Sequence, residues 1–280
     1  MENIVKFFTQ SFPGLILHTL YPHSYDMLPY IELSVVHIGP IPIQVWGTMV
    51  ALGIAVGLWV SGKRAEKLGL DKKLVYDLGT YAIIAAMVGA RVVHSFVYEL
   101  SATLQDPFEF FRVWHGGFSV MGGFIGACVV SYWYLKKRHV DVWRYADATI
   151  FGLPVGLGIG RIGCFLIHDH PGTASDFILA VQYPDGVERH DHGLYLSLNG
   201  FALALVFWWM SQRKLPTGAY LAVFGVWYGL VRFWLDFYRV IDTRYFWLTP
   251  AQYVSVVMVG LGAWGIWFVF LHRKRNVDKS

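Results

Sequence analysis

The sequence predicts an all-α integral membrane protein, a seven-transmembrane helix bundle with a small extracytoplasmic cap, its N-terminus outside and its C-terminus inside. Three observations predict it. Only 15% of the 280 residues are charged, against 55% hydrophobic and 17% aromatic, whereas an ordinary soluble domain carries roughly a quarter charged residues. Seven apolar windows reach the roughly 17 to 25 residues that a spanning helix requires. Basic residues cluster in alternate connections between those windows, which marks the cytoplasmic side.

Taken in order, residues 1–43 read as an interfacial segment on the outer face. Lys6, Pro13 and His18 interrupt its apolar run and no small-residue cleavage site follows, so it does not resemble a cleavable signal peptide. Its Phe, Leu and Tyr content suits a chain lying at the headgroups. The spans run over 44–62, 78–98, 118–135, 146–167, 195–212, 216–238 and 250–271, making one membrane domain over 44–271. Lys63, Arg64, Lys67, Lys72 and Lys73 follow the first span, whereas Arg112 stands alone before the third. Lys136, Lys137, Arg138 and Arg144 follow the third, Arg189 stands alone after the fourth, and Arg213 and Lys214 follow the fifth. Arg239 and Arg244 come next, and a cytoplasmic basic tail, 272–280, holds Arg273, Lys274, Arg275 and Lys279. The cap is expected within about 168–194, where FILAVQY (177–183) reads as a strand and Pro184, Asp185 and Gly186 as the turn of a short hairpin. Cys128 and Cys164 fall in apolar runs and read as packing residues rather than a disulfide framework.

Three arginines lie inside spans: Arg91, Arg161 and Arg232. An arginine at the centre of a membrane helix costs about 2.5–3.5 kcal/mol on insertion scales, so each should face protein, water or a bound anion. Asp147 and Asp236 are available as buried partners, and a purely structural pairing is the competing reading. Glycines at 156, 158, 160 and 163 surround Arg161, and Gly225 and Gly229 precede Arg232. Glycine lets backbones and bulky groups approach closely, and the guanidinium fork grips two phosphate oxygens together. The combination points to a phospholipid headgroup pocket among helices.

Five segments then resemble, in order, the bacterial prolipoprotein diacylglyceryl transferase family: HIGPIPIQVWG (37–47), GARVVHSFVY (89–98), VWHGGFSVMGG (113–123), GIGRIGCF (158–165) and YGLVRFWLDFYR (228–239). In the family signature Gly160, Arg161, Gly163, Phe165 and Gly172 match, and Asp169 stands where the family usually has glutamate. The resemblance implies a plasma-membrane enzyme that moves the diacylglyceryl group of phosphatidylglycerol to the lipobox cysteine of a preprolipoprotein, releasing glycerol phosphate. It implies that Arg161 and Arg232 hold the lipid phosphate, with Gly160, Gly163, Gly172 and Arg239 around them. The expected partners are phosphatidylglycerol, the preprolipoprotein lipobox peptide and membrane lipids, with no nucleic acid, no metal and no diffusible cofactor.

The sequence departs from the family at three polar positions: Cys164 replaces an asparagine, Met121 a histidine and Trp46 a tyrosine. Substitutes for a thiol base stand on the outer side, namely His115, His168, Asp169, His170 and His190, with Asp191 and His192 beside the last. A histidine of ordinary pKa near 6.5 suits that task. Two other readings stay open. The two His-Asp-His triplets could ligate zinc or iron in a membrane metalloenzyme, or the chain could bind anionic lipid without catalysis.

Overall fold

The computed structural model describes residues 16–17, 27–112, 117–240 and 244–272. His115, most of the first 26 residues and the basic tail from 273 onward lie outside the described residues. The chain divides into two compact units, one comprising Met1–Gly57, Leu153–Trp209 and Val231–Thr243, the other Leu58–Gly152, Met210–Leu230 and Arg244–Ser280.

Five short strands come first: β1 (Ile16–Leu17), β2 (Leu28–Pro29), β3 (Ile31–Glu32), β4 (Val35–Ile38) and β5 (Ile41–Gln44). Helices follow as α1 (Val45–Lys67), α2 (Lys72–Val93), α3 (Leu100–Gln105), α4 (Val120–Lys137), α5 (Val142–Ile150) and α6 (Leu153–Ile167). Three strands, β6 (Pro171–Ala174), β7 (Val181–Gln182) and β8 (Glu188–Asp191), precede α7 (His192–Met210), α8 (Ala219–Leu235) and α9 (Pro250–Ile266). Five helical stretches are long and apolar enough to cross a membrane: Val45–Lys67, Lys72–Tyr98, Val142–Ile167, His192–Met210 and Pro250–Val269. The protein is a mostly helical, multi-pass membrane protein. The other two expected spans are helical as well, but α4 ends on Lys136 and Lys137 and α8 has 17 residues.

The strands amend the all-α expectation. Residues 28–44, read from sequence as interfacial, hold β2 to β5, of which β4 and β5 form an antiparallel hairpin turning at Gly39. Strands of only two to four residues are too short to show a clear period, which is why the sequence carries little signal for them. The expected cap hairpin is present as β7 and β8, and the full cap sheet runs β2-β7-β8-β6, with β2 parallel to β7. Tyr30, Val181 and Tyr183 form its core, with Leu28 and Phe165 packed against them.

Within the first unit α1 meets α6 at Gly53 and Gly156, where a Cβ on either residue would collide with the other's carbonyl. Within the second, α2 and α4 touch at Gly89 and Gly122 in the same way. Close backbone approach of this kind is how membrane helices gain dispersion contact where lipid offers no hydrophobic driving force. The second unit also packs Ala65, Val75, Leu78, Tyr134, Leu135, Tyr145 and Ala148 into one cluster.

Helix ends are satisfied individually. Asp71, Ser119 and Asp141 accept from backbone N–H groups at the starts of α2, α4 and α5. Thr249 and Gln252 form a reciprocal capping box at α9, with Pro250 in the first turn. Buried Asp147 accepts from the Gly218 and Leu221 N–H groups at 2.6 and 3.0 Å, so this carboxylate serves the start of α8 rather than an arginine in a span.

Candidate active site

Each of the three arginines in spans has a different environment. Arg91, 5% exposed, turns its guanidinium onto backbone carbonyls: Nε donates to Phe110 at 3.0 Å, Nη1 to Gly117 at 3.2 Å, and Nη2 to Arg112 at 3.2 Å and to Glu109. It clamps the connection after α2, which makes it a structural residue. Arg161 lies in α6 one turn before Cys164, whose Sγ accepts from Nη1 at 3.7 Å. The asparagine-to-cysteine departure therefore sits in direct contact with the signature arginine.

Arg232, in the last turn of α8, pairs with Asp236 at 3.1 Å, and Arg239 approaches the same carboxylate oxygen at 3.5 Å. Asp236 is fully buried, and the Arg232 and Arg239 side chains are only 11% and 13% exposed. Two guanidiniums thus converge on one carboxylate oxygen in a poorly solvated setting, where charge interactions are strong. The Arg239 backbone bridges to Gly172, tying this cluster to the cap.

The glycines expected at the headgroup face protein backbone. A Cβ on Gly163 would press on Met49 and on the Trp46 backbone, and one on Gly172 would press on the His190 and Tyr238 carbonyls. Gly160 has more room, with Val50 Cα 3.8 Å from such a Cβ. Their role is to bring α1 against α6, and the chain after α8 against the cap.

The histidines separate sharply. His168 is buried, adopts a positive φ of 48°, and is engaged at both ring nitrogens: Nδ1 meets Asp191 Oδ2 at 2.7 Å and Nε2 meets the Ile31 carbonyl at 3.2 Å. Tyr183 donates to the same Asp191 oxygen at 3.1 Å, and Tyr30 stacks on the His168 ring at 4.1 Å. Burial and then the Asp191 charge push the Tyr183 hydroxyl well above its ordinary value, while burial followed by Glu32 pushes Tyr30 up to about 12. Both phenols therefore stay protonated as donors. Both ring nitrogens of His168 are thus engaged, at the centre of a buried network. His170 and Asp169 are immediate neighbours, Nδ1 and Oδ1 being 2.5 Å apart but outside hydrogen-bond alignment.

His190 is different. Its Nδ1 lies 2.8 Å from the Tyr195 hydroxyl, which in turn reaches the Leu179 carbonyl at 3.4 Å. If Tyr195 donates to that carbonyl, it accepts from Nδ1–H, and the Nε2 lone pair is left available. The ring rests against Tyr238 at 4.7 Å, and burial lowers its pKa below the usual histidine value, so it is neutral near pH 7. Tyr195 thus orients a histidine. Asp191 and Tyr183 were missed as partners of His168 because their meeting depends on sheet register.

Met121, at the family's histidine position, lines a crevice of about 490 Å³ with Val97, Tyr98, Tyr245, Pro250 and Tyr253. Among the described residues no three His, Cys, Asp or Glu side chains gather as a metal-ligating group, so the metal reading of the triplets finds no ligand set there.

Comparison with known proteins agrees with the resemblance. The profile of the prolipoprotein diacylglyceryl transferase family matches residues 34–268. The chain is similar to a phosphatidylglycerol–prolipoprotein diacylglyceryl transferase of Solidesulfovibrio magneticus, 36% identical over 249 residues, covering 84% of this chain and 94% of that one. A Pseudomonas fluorescens protein of the same name is 33% identical over 262 residues, covering 88% and 97%, and one from Chromohalobacter salexigens is 32% identical over 261, covering 90% and 96%. On the strength of that match the chain belongs to the prolipoprotein diacylglyceryl transferase family.

Proposed function

We propose that this protein transfers the diacylglyceryl group of phosphatidylglycerol to the lipobox cysteine thiol of a preprolipoprotein, in the bacterial inner membrane, through seven spans with the N-terminus outside. The observation that carries the reading is the nearly buried Arg232–Asp236–Arg239 cluster, whose two guanidiniums are forked donors of the kind that grip phosphate oxygens. Arg161 and Arg232 hold the donor phosphate, and Arg239 and the glycines at 160, 163 and 172 shape the walls. Among the sequence candidates we take His190 as the base, because its Nδ1 is oriented by Tyr195 as a base is oriented by a third group in hydrolytic triads.

His190 Nε2 takes the thiol proton, and the thiolate attacks the glyceryl carbon that bears the phosphate. A C–S bond forms as the C–O bond breaks, the electron pair goes to the phosphate oxygen, and glycerol phosphate leaves against the arginines. None of these steps calls for a metal or diffusible cofactor.

The test uses purified protein with phosphatidylglycerol and a synthetic lipobox peptide, following glycerol phosphate release. Release that needs the peptide's cysteine and survives a chelator supports the transferase. Lipid binding without release would leave an anionic-lipid binder, and loss on chelation would return the triplets to metal chemistry.

A further inference from the structure

The reaction outlined above leaves one fully buried histidine without a task. His192, the first residue of α7, is 1% exposed, and neither ring nitrogen makes a hydrogen bond to any of the described residues. The Tyr238 backbone is a polar neighbour outside bonding geometry, and the charges that act on the ring are those of Arg239, Arg232 and Asp236. A buried donor left unsatisfied costs about 1–3 kcal/mol, so an uncommitted imidazole at such a place calls for an absent partner.

The neighbours define that partner. Two guanidiniums surround one carboxylate, and an imidazole in its neutral form adds an N–H donor without adding charge. A group with several acceptor oxygens could accept from the ring and from a guanidinium together. A phosphodiester is such a group.

We propose that His192 donates an N–H hydrogen bond to the phosphoryl group of the donor lipid, as a further donor beside Arg232. This rests on the transferase reading and adds a substrate-binding residue to it. Free inorganic phosphate shares the chemistry and is the alternative occupant.

His192→Leu removes the donor at similar bulk, and His192→Asn restores an N–H. The leucine variant is expected to raise KM for phosphatidylglycerol about tenfold or more with kcat changed much less, as loss of a hydrogen bond to a charged group implies. The asparagine variant is expected to recover most of that loss, with inorganic phosphate a poor competitor throughout. Equal KM values in the two variants, raised or normal, overturn the proposal. Inhibition of the wild type by inorganic phosphate that disappears in His192→Leu, with KM for the lipid unmoved, overturns the lipid assignment in favour of a free-phosphate site. Arg232→Ala in the same assay separates the two levels: an active Arg232→Ala enzyme sinks the pocket, whereas an inactive one beside a normal His192→Leu enzyme sinks only the role of His192. A readout independent of the leucine variant uses 15N-histidine-labelled wild type. The ring signal absent from His192→Asn should move on adding phosphatidylglycerol and stay fixed with diacylglycerol, and a signal that ignores both lipids refutes the contact.

Discussion

His168 and Asp191, 23 positions apart in sequence, meet at 2.7 Å inside the cap, each only 1% exposed at its side chain. The pair links the end of α6 to the end of β8, and the second His168 nitrogen reaches back to the Ile31 carbonyl in β3. Removing one partner leaves the other buried and unmatched, which typically costs about 3–5 kcal/mol. His168→Ala and Asp191→Ala should each lower the unfolding temperature markedly, and the double variant should lose far less than the sum. Additive losses in thermal melts would show that the two do not act as a unit.

His190 should control the pH profile. Burial holds its pKa below the ordinary value of about 6.5, so it is neutral and able to accept a proton at pH 7. Activity should fall with decreasing pH only once the medium passes below that ordinary value, because the ring resists protonation until then. Tyr195→Phe should lower kcat by roughly 10- to 100-fold by freeing the ring, within the range general base catalysis contributes. A kcat/KM profile unchanged by His190→Gln would remove this residue from the chemistry.

Arg161→Ala and Arg232→Ala should each reduce transfer by at least about two orders of magnitude, the scale of losing one preorganised electrostatic donor. Arg232→Ala also takes from buried Asp236 the nearer of its two arginines, leaving Arg239 at 3.5 Å, so Arg232→Ala/Asp236→Asn should fold better than the single variant yet stay inactive. Membrane insertion and melting temperature, measured beside activity, distinguish the two effects.

Arg91 should matter to stability rather than to phosphate. Its guanidinium serves four carbonyls, a geometry that an ammonium cannot reproduce. Arg91→Lys should therefore destabilise nearly as much as Arg91→Ala, on the order of 3 kcal/mol for carbonyls left without donors. A lysine variant with a wild-type melt would refute the clamp.

Thr249→Ala should cost about 1 kcal/mol by removing one half of the capping box at α9. A chemical denaturation series resolves that difference, and no change would mean that the packing of α9 alone holds its first turn.

The helices were legible because lipid imposes a length and a polarity on each span, and the arginines stood out against that background. Asp236 was legible as a partner of Arg232 because four residues return a helix to the same face. The difference between His168 and His190 was not legible. Both sit in His-Asp-His triplets, and only the antiparallel register of β6 with β8, which sets Pro171 opposite Asp191, brings the carboxylate of one triplet to the ring of the other. Arg91 was ambiguous for a similar reason, since backbone carbonyls belong to every residue and leave no mark in sequence.

The parallel pairing of Leu28 with Val181 also has a consequence for biosynthesis. The cap sheet takes one edge strand from the beginning of the chain and the rest from beyond its middle. At about 5–20 residues per second of translation, the ribosome needs on the order of 10–30 s to deliver the partner strand. During that interval β2 has no sheet to join and Tyr30 has no His168 to stack upon. Nascent chains halted before residue 168 should therefore show Tyr30 accessible to protease or label, and chains extended through β8 should protect it.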